Sequence, residues 1–201
     1  MLQGELAMRK FVLFLSSLSL LACTTVYRPQ EIPLKGKHLD DQHLAALPTG
    51  KGRVTVINVT EPQIVRSTLC CSGPCFFESV DSDLRNWGEA ISLELRDALE
   101  RLGYTLSDSA EKVIMLKVTG ATLHTGVFHF KQAVSLEIEL GDGNKVEISK
   151  AKRAFNVWQP AAYESVIEIA YWIIKNKSVQ EYLRNESEAY WLNQEAEYRR
   201  Y

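Results

Sequence analysis

The sequence predicts an α+β fold, a two-layer sandwich in which helices cover one face of a mostly antiparallel four-stranded sheet. Three observations point there. A β-branched run opens the regular part of the chain, and two stretches of helical period flank a block of strands. Within that block, in a strand from about Phe128 to Leu140, residues 134–140 alternate cleanly between apolar and polar. Hydrophobic residues make up 46% of the 201-residue chain and charged residues 24%, enough apolar surface for one folded domain.

The first strand is Arg53-Val-Thr-Val-Ile-Asn-Val-Thr60, a β-branched run. A cysteine-rich loop follows, then a helix from about Ser82 to Leu102. Leu84, Trp87, Ile91, Leu95, Ala98 and Leu102 keep the spacing of one buried helix face. Asp81 or Ser82 can cap its start, and Gly103 supplies the left-handed residue that ends it. The second strand spans Val113 to Leu123, with Ile114, Leu116 and Val118 on one side.

In the third strand Val134, Leu136, Ile138 and Leu140 alternate with Ser135, Glu137 and Glu139. Gly141-Asp-Gly-Asn144 is a hairpin turn. It leads to a fourth strand, Lys145 to Trp158, whose apolar phase slips between Ile148 and Ala151, the signature of a bulge. Pro160 opens a helix through Asn176, with Tyr163, Val166, Ile167, Ala170, Ile173 and Ile174 facing the core. Ser178-Val-Gln-Glu181 reads as a capping box for a further helix. The order is β-α-β-β-β-α, followed by a C-terminal helical tail.

The N-terminus reads as an address. Residues 11–22 form an apolar stretch of 12 behind Arg9 and Lys10, short of the roughly 20 residues a spanning helix needs. A basic start, a short apolar core and a small residue before a break point make a secretory signal, with Met8 the better initiator because Glu5 is out of place. The break point, Leu20-Leu21-Ala22-Cys23, resembles the lipobox of bacterial lipoproteins. The resemblance implies that the Cys23 thiol is acylated and the chain cut before it. Acyl chains contribute about 0.8 kcal/mol per buried CH2, so two or three anchor a protein stably. Thr24, in place of the Asp that favours inner-membrane retention, implies the outer membrane, facing the periplasm.

Four segments follow: a signal peptide over 1–22, the lipidated N-terminus and a flexible tether over 23–52, the α+β periplasmic domain over 53–184, and a tail over 185–201. The tether holds Pro29, Pro33 and Pro48, half of the six prolines, and shows no period. Its 29 residues after Cys23 reach at most about 95 Å.

With the elements placed, the chain resembles the YajG-type family of outer-membrane lipoproteins, which are largely uncharacterised. The likeness is carried by the lipobox at Cys23, the helix end Leu99-Glu-Arg-Leu-Gly-Tyr104, the Gly143-Asn-Lys145 turn, and Ser178-Val-Gln-Glu-Tyr-Leu183. It covers roughly residues 50–185; the cysteine loop and the tail depart from it. It implies an anchored periplasmic α+β domain without a known reaction.

Charge excludes one class of partner. Lys and Arg number 23 against 25 Asp and Glu; the mature chain would carry 21 against 24, and neither balance leaves a nucleic-acid footprint. No Walker, dinucleotide or nucleophile-elbow pattern occurs, so no enzyme, catalytic residue or cofactor beyond the lipid on Cys23 is expected.

The remaining chemistry centres on Leu69-Cys-Cys-Ser-Gly-Pro-Cys-Phe76. In an oxidising periplasm a local disulfide is the first reading, Cys71–Cys75 or Cys70–Cys75, with a vicinal Cys70–Cys71 bond the strained alternative. The competing reading is thiol-redox or Cu(I) handling through Cys70, Cys71 and Cys75. A zinc site lacks a placeable fourth ligand, so no metal is expected. His38 and His43 fall in the tether, and His124 and His129 flank a turn at Gly126. Glu94, Asp97 and Glu100 read as the solvated outer face of the first helix. In the tail, Trp191, Tyr198 and Tyr201 share a helix face, either packed on the domain or offered to a protein partner. The function expected is a non-enzymatic lipoprotein that binds a protein partner in envelope assembly or maintenance. The alternatives are the thiol or copper protein, or a lipid-carrying accessory of an envelope transporter.

Overall fold

A computed structural model describes residues 24–27, 38–70, 77–125, 129–155 and 158–184. Its strands are β1 (Thr24–Tyr27), β2 (Arg53–Asn58), β3 (Ile64–Cys70), β4 (Phe77–Asp83), β5 (Thr105–Leu106), β6 (Lys112–Thr125), β7 (His129–Leu140) and β8 (Lys145–Phe155). Its helices are α1 (Asp41–Ala45), α2 (Leu84–Arg101), α3 (Trp158–Lys175) and α4 (Lys177–Arg184).

The main sheet has five strands, not four, in the order β5-β2-β6-β7-β8. β2 lies parallel to both β5 and β6, while β6, β7 and β8 form an antiparallel meander. The second sheet, β1-β4-β3, was not expected. Its β3–β4 hairpin occupies what reads in sequence as a loop. Arg66 and Ser67 interrupt the apolar run there, but each has a structural partner. Ser67 Oγ accepts the Leu123 N–H at 3.0 Å, fastening β3 beside β6.

Arg66 stands opposite Asp81 and donates from both Nε and an Nη, at 2.7 and 3.0 Å. That hydrogen bonding holds Asp81 below its ordinary value. Because the shift is downward, the pair's stabilisation is present above the unfolded carboxylate value of about 4 and is lost as pH falls through the lower folded value. Amide protection in the hairpin, corrected for the pH dependence of intrinsic exchange, should therefore fall below about pH 4. Asp81→Asn should weaken the hairpin at neutral pH and remove that acid dependence; an unchanged acid profile in the variant would assign it to another group.

The core lies between the sheet and α2 and α3. Leu84, Trp87, Ile91, Leu95 and Ala98 of α2 are buried as their spacing predicts, against Val54, Val56, Ile114, Leu116, Leu136 and Ile138. On α3 the buried stripe is Val166, Ile169, Ala170 and Ile173, and Ile167 lies at its margin. Boundaries shift by small amounts with clear causes. Asp83, whose carboxylate accepts the Arg85 N–H at 3.0 Å, caps α2; Asp81 and Ser82 are in β4. Asn176, accepting from Ser178 N–H at 2.9 Å, caps α4 in place of the expected Ser178 box. Gly103 has φ +96° after α2, and Gly143 has φ +86° in the β7–β8 turn.

The bulge expected in β8 lies instead in β6, where register shifts between Val118 and Gly120. The β7–β8 register runs unbroken from Glu139↔Lys145 to His129↔Phe155. The alternation in β8 never slips. Lys150 and Lys152 reach α3 from it, Lys150 with Nζ 3.6 Å from the Trp172 ring centroid and Lys152 through Glu164 and Glu168. Long lysine stems can cover apolar surface while their ammonium groups meet ring faces or carboxylates.

Residues 38–52, expected in the tether, pack on the domain. Leu39, Leu44 and Leu47 are buried in the same core as α2 and α3. α1 has five residues, too few to show a period, and Pro48, Gly50 and Gly52 disguise the rest. β1 likewise pairs in parallel with β4, from Thr24↔Ser79 to Tyr27↔Ser82.

Candidate functional site

The packed N-terminal segment creates a structured surface feature among the described residues. Asp40 caps α1 by accepting the His43 N–H at 2.7 Å, and that bond, with a second from the His43 ring, holds the carboxyl below its usual range. Immediately before Asp40 the chain is fixed to α2. Glu94, completely buried, accepts the Leu39 N–H on Oε1 at 2.9 Å, and its Oε2 lies 3.3 Å from His38 Nδ1. Glu94 is therefore no part of a solvated face. A buried carboxylate needs partners, and the segment from 38 to 39 supplies them. Asp97, one turn along, approaches His38 Nδ1 at 3.5 Å and Arg101 at 3.3 Å, and Arg101 reaches on to Asp41 at 2.5 Å.

Between this segment, α3 and β8 lies a cleft of about 550 Å³, whose walls include His38, His43, Lys152, Glu168, Tyr171 and Trp172. His43 meets Tyr171 edge-on with ring centroids 5.2 Å apart, and Tyr171 meets Trp172 at 5.9 Å. Lys150 and Lys175 sit over these rings. Aromatic bodies with cationic tips suit a polar, partly apolar partner surface. Both described imidazoles bond to carboxylates. Deeper in, burial, with Glu94 adding to it, raises the Tyr163 phenol.

The opposite edge of the sheet is partly blunted by a different device. β5 covers only Arg53 and Val54 of β2, and Arg96 donates to the next outward carbonyl, Val56, at 2.6 Å. A guanidinium on an edge carbonyl blunts it against another strand.

The residues singled out in sequence fare unevenly. Cys70 ends β3 opposite Phe77. Cys23, Cys71, Cys75, Trp191, Tyr198 and Tyr201 lie outside the described residues, so neither the cysteine pairings nor the tail surface is visible. His124 and His129 fall on adjacent strands, opposite Lys131 and Phe155, with 126–128 outside the described residues. The cleft itself was missed, since its walls come from stretches more than 100 residues apart. One local signal was available: Leu39 and Leu44 flank Asp40, an N-cap residue type.

The fold defines a class, an α+β sandwich with a five-stranded mixed sheet, a second small sheet and both long helices on one face. No family model matches the chain, and no curated protein matches it. Among solved structures, it is similar to protein XCC0632 of Xanthomonas campestris, described with the family model DUF330. The TM-score is 0.51 at 11% identity, over 75% of this chain and 95% of that one. That likeness shows a shared fold. A minor lipoprotein of Acinetobacter baumannii aligns at TM-score 0.37 and 14% identity, over 65% of this chain and 94% of its own. Lipoprotein GNA1162 of Neisseria meningitidis aligns at 0.34 and 12%, over 62% and 99%.

Proposed function

We propose that this chain is a bacterial envelope lipoprotein, anchored through acylated Cys23 in the outer membrane and facing the periplasm, which binds a protein partner and catalyses no reaction. The signal-like stretch ending in Leu20-Leu21-Ala22-Cys23 supports the location, together with the resemblance to YajG-type lipoproteins. The observation that carries the binding role is the cleft of His43, Tyr171, Trp172 and their lysines beside the N-terminal segment.

We infer a shorter reach for the anchor than an extended tether would give, and the pairing of β1 supports it. Thr24, the residue after Cys23, begins β1, which is paired to β4. In this reading the lipid emerges beside the small sheet, and the domain lies close to the bilayer instead of at the end of an extended tether. Cys23→Ser should move the protein from the membrane fraction to the soluble periplasm. In-cell crosslinking of the full chain, of Trp172→Ala and of a chain lacking residues 186–201 should give a discrete adduct that either change reduces. An adduct pattern identical in all three would overturn both the cleft and the tail as docking surfaces.

A further inference from the structure

We infer that His38, Glu94 and Asp97 form a site for a divalent transition cation of the zinc class, which fastens the N-terminal segment to α2. The site draws on two parts of the chain. Glu94 and Asp97 are three apart on α2 and so share a face, while His38 comes from the segment ahead of α1. One donor atom from each of His38, Glu94 and Asp97 lies within 4.8 Å of the other two.

The two spacings from His38 fit a small tetrahedral ion. Ligands about 2.0–2.1 Å from zinc stand about 3.3 Å apart, and His38 Nδ1 is 3.3 Å from Glu94 Oε2 and 3.5 Å from Asp97 Oδ2. Glu94 is oriented as a metal carboxylate is: Oε1 is held by the Leu39 N–H at 2.9 Å, and Oε2 faces His38 Nδ1 at 3.3 Å, a contact that an ion between them would replace. Its side chain has no exposure, whereas those of His38 and Asp97 are 44% and 38% exposed, so an ion can enter and water can complete its shell. Two carboxylates match a divalent charge, and the imidazole selects zinc-class ions over calcium or magnesium, which favour oxygen alone.

Arg101 competes for Asp97 Oδ2, at 3.3 Å, but it also holds Asp41 and can keep that bond when the ion binds. Segment and helix would then be joined by coordination as well as by Leu39 packing. Stability of the N-terminal attachment would depend on the cation by linkage.

The test uses the purified full chain, with its thiols alkylated so that Cys70, Cys71 and Cys75 cannot bind metal. Zinc chloride should titrate to one ion per chain and raise the melting temperature, and a chelator should reverse both. His38→Ala and Asp97→Asn, both at partly exposed positions, should remain folded by circular dichroism. Each should weaken zinc binding by about tenfold or more. Cobalt should give the visible absorption of a tetrahedral site in the parent chain and not in His38→Ala. The inference is overturned if zinc fails to bind stoichiometrically, if either variant binds as the parent does, or if calcium binds in preference to zinc.

Discussion

Replacing Leu39 by alanine lowers the free energy of unfolding by about 2–5 kcal/mol, the range for truncating a buried leucine. Leu39 is 2% exposed and belongs to the core shared by α2 and α3. Its own N–H donates to buried Glu94, so the backbone at this point cannot drift to fill the void without stripping a carboxylate of its partner. Chemical denaturation with an unchanged m-value is the measurement. In a flexible tether the same substitution would shift stability by no more than about 0.5 kcal/mol. A shift that small would show that residues 38–47 do not fold with the domain.

Gly50→Ala should cost about 1–3 kcal/mol, the range for overpacking. Gly50 N–H donates to Leu102 at 3.0 Å, just past the end of α2, and a Cβ built on Gly50 would overlap the Tyr104 ring. Tyr104 is itself buried and ordered by the turn at Gly103, whose own Cβ position lies 2.9 Å from the Gly50 carbonyl. Gly120→Ala is the control, since nothing lies within 4 Å of its Cβ position. Equal destabilisation by both substitutions would remove crowding at Tyr104 as the cause.

Both variants probe the stretch that sequence reads least well. Regular elements with enough residues for a period were legible: the buried stripe of α2, the alternation of β7, and the Gly141-Asp-Gly-Asn144 turn between β7 and β8. Elements shorter than a period, or interrupted by polar residues, were not. α1 is five residues long, and β3 carries Arg66 and Ser67 facing partners 15 and 56 residues away. Glu94 shows the same limit from the other side. On a helical wheel it borders the charged face, and only its contact with Leu39, 55 residues earlier, makes it a buried group.

Composition and local pattern determine by themselves that this chain has an α+β core, a basic-then-apolar stretch ending at Cys23 and a near-even balance of charge, because those properties depend on neighbours in the chain. Tertiary structure alone decided that β2 runs parallel beside β6 and that residues 38–47 belong to the domain. It also decided that His38, Glu94 and Asp97 meet, next to a cleft floored by Tyr171 and Trp172. The physical reason is that burial, pairing and charge neutralisation are set by distance in space, and no local periodicity encodes a contact across 55 residues.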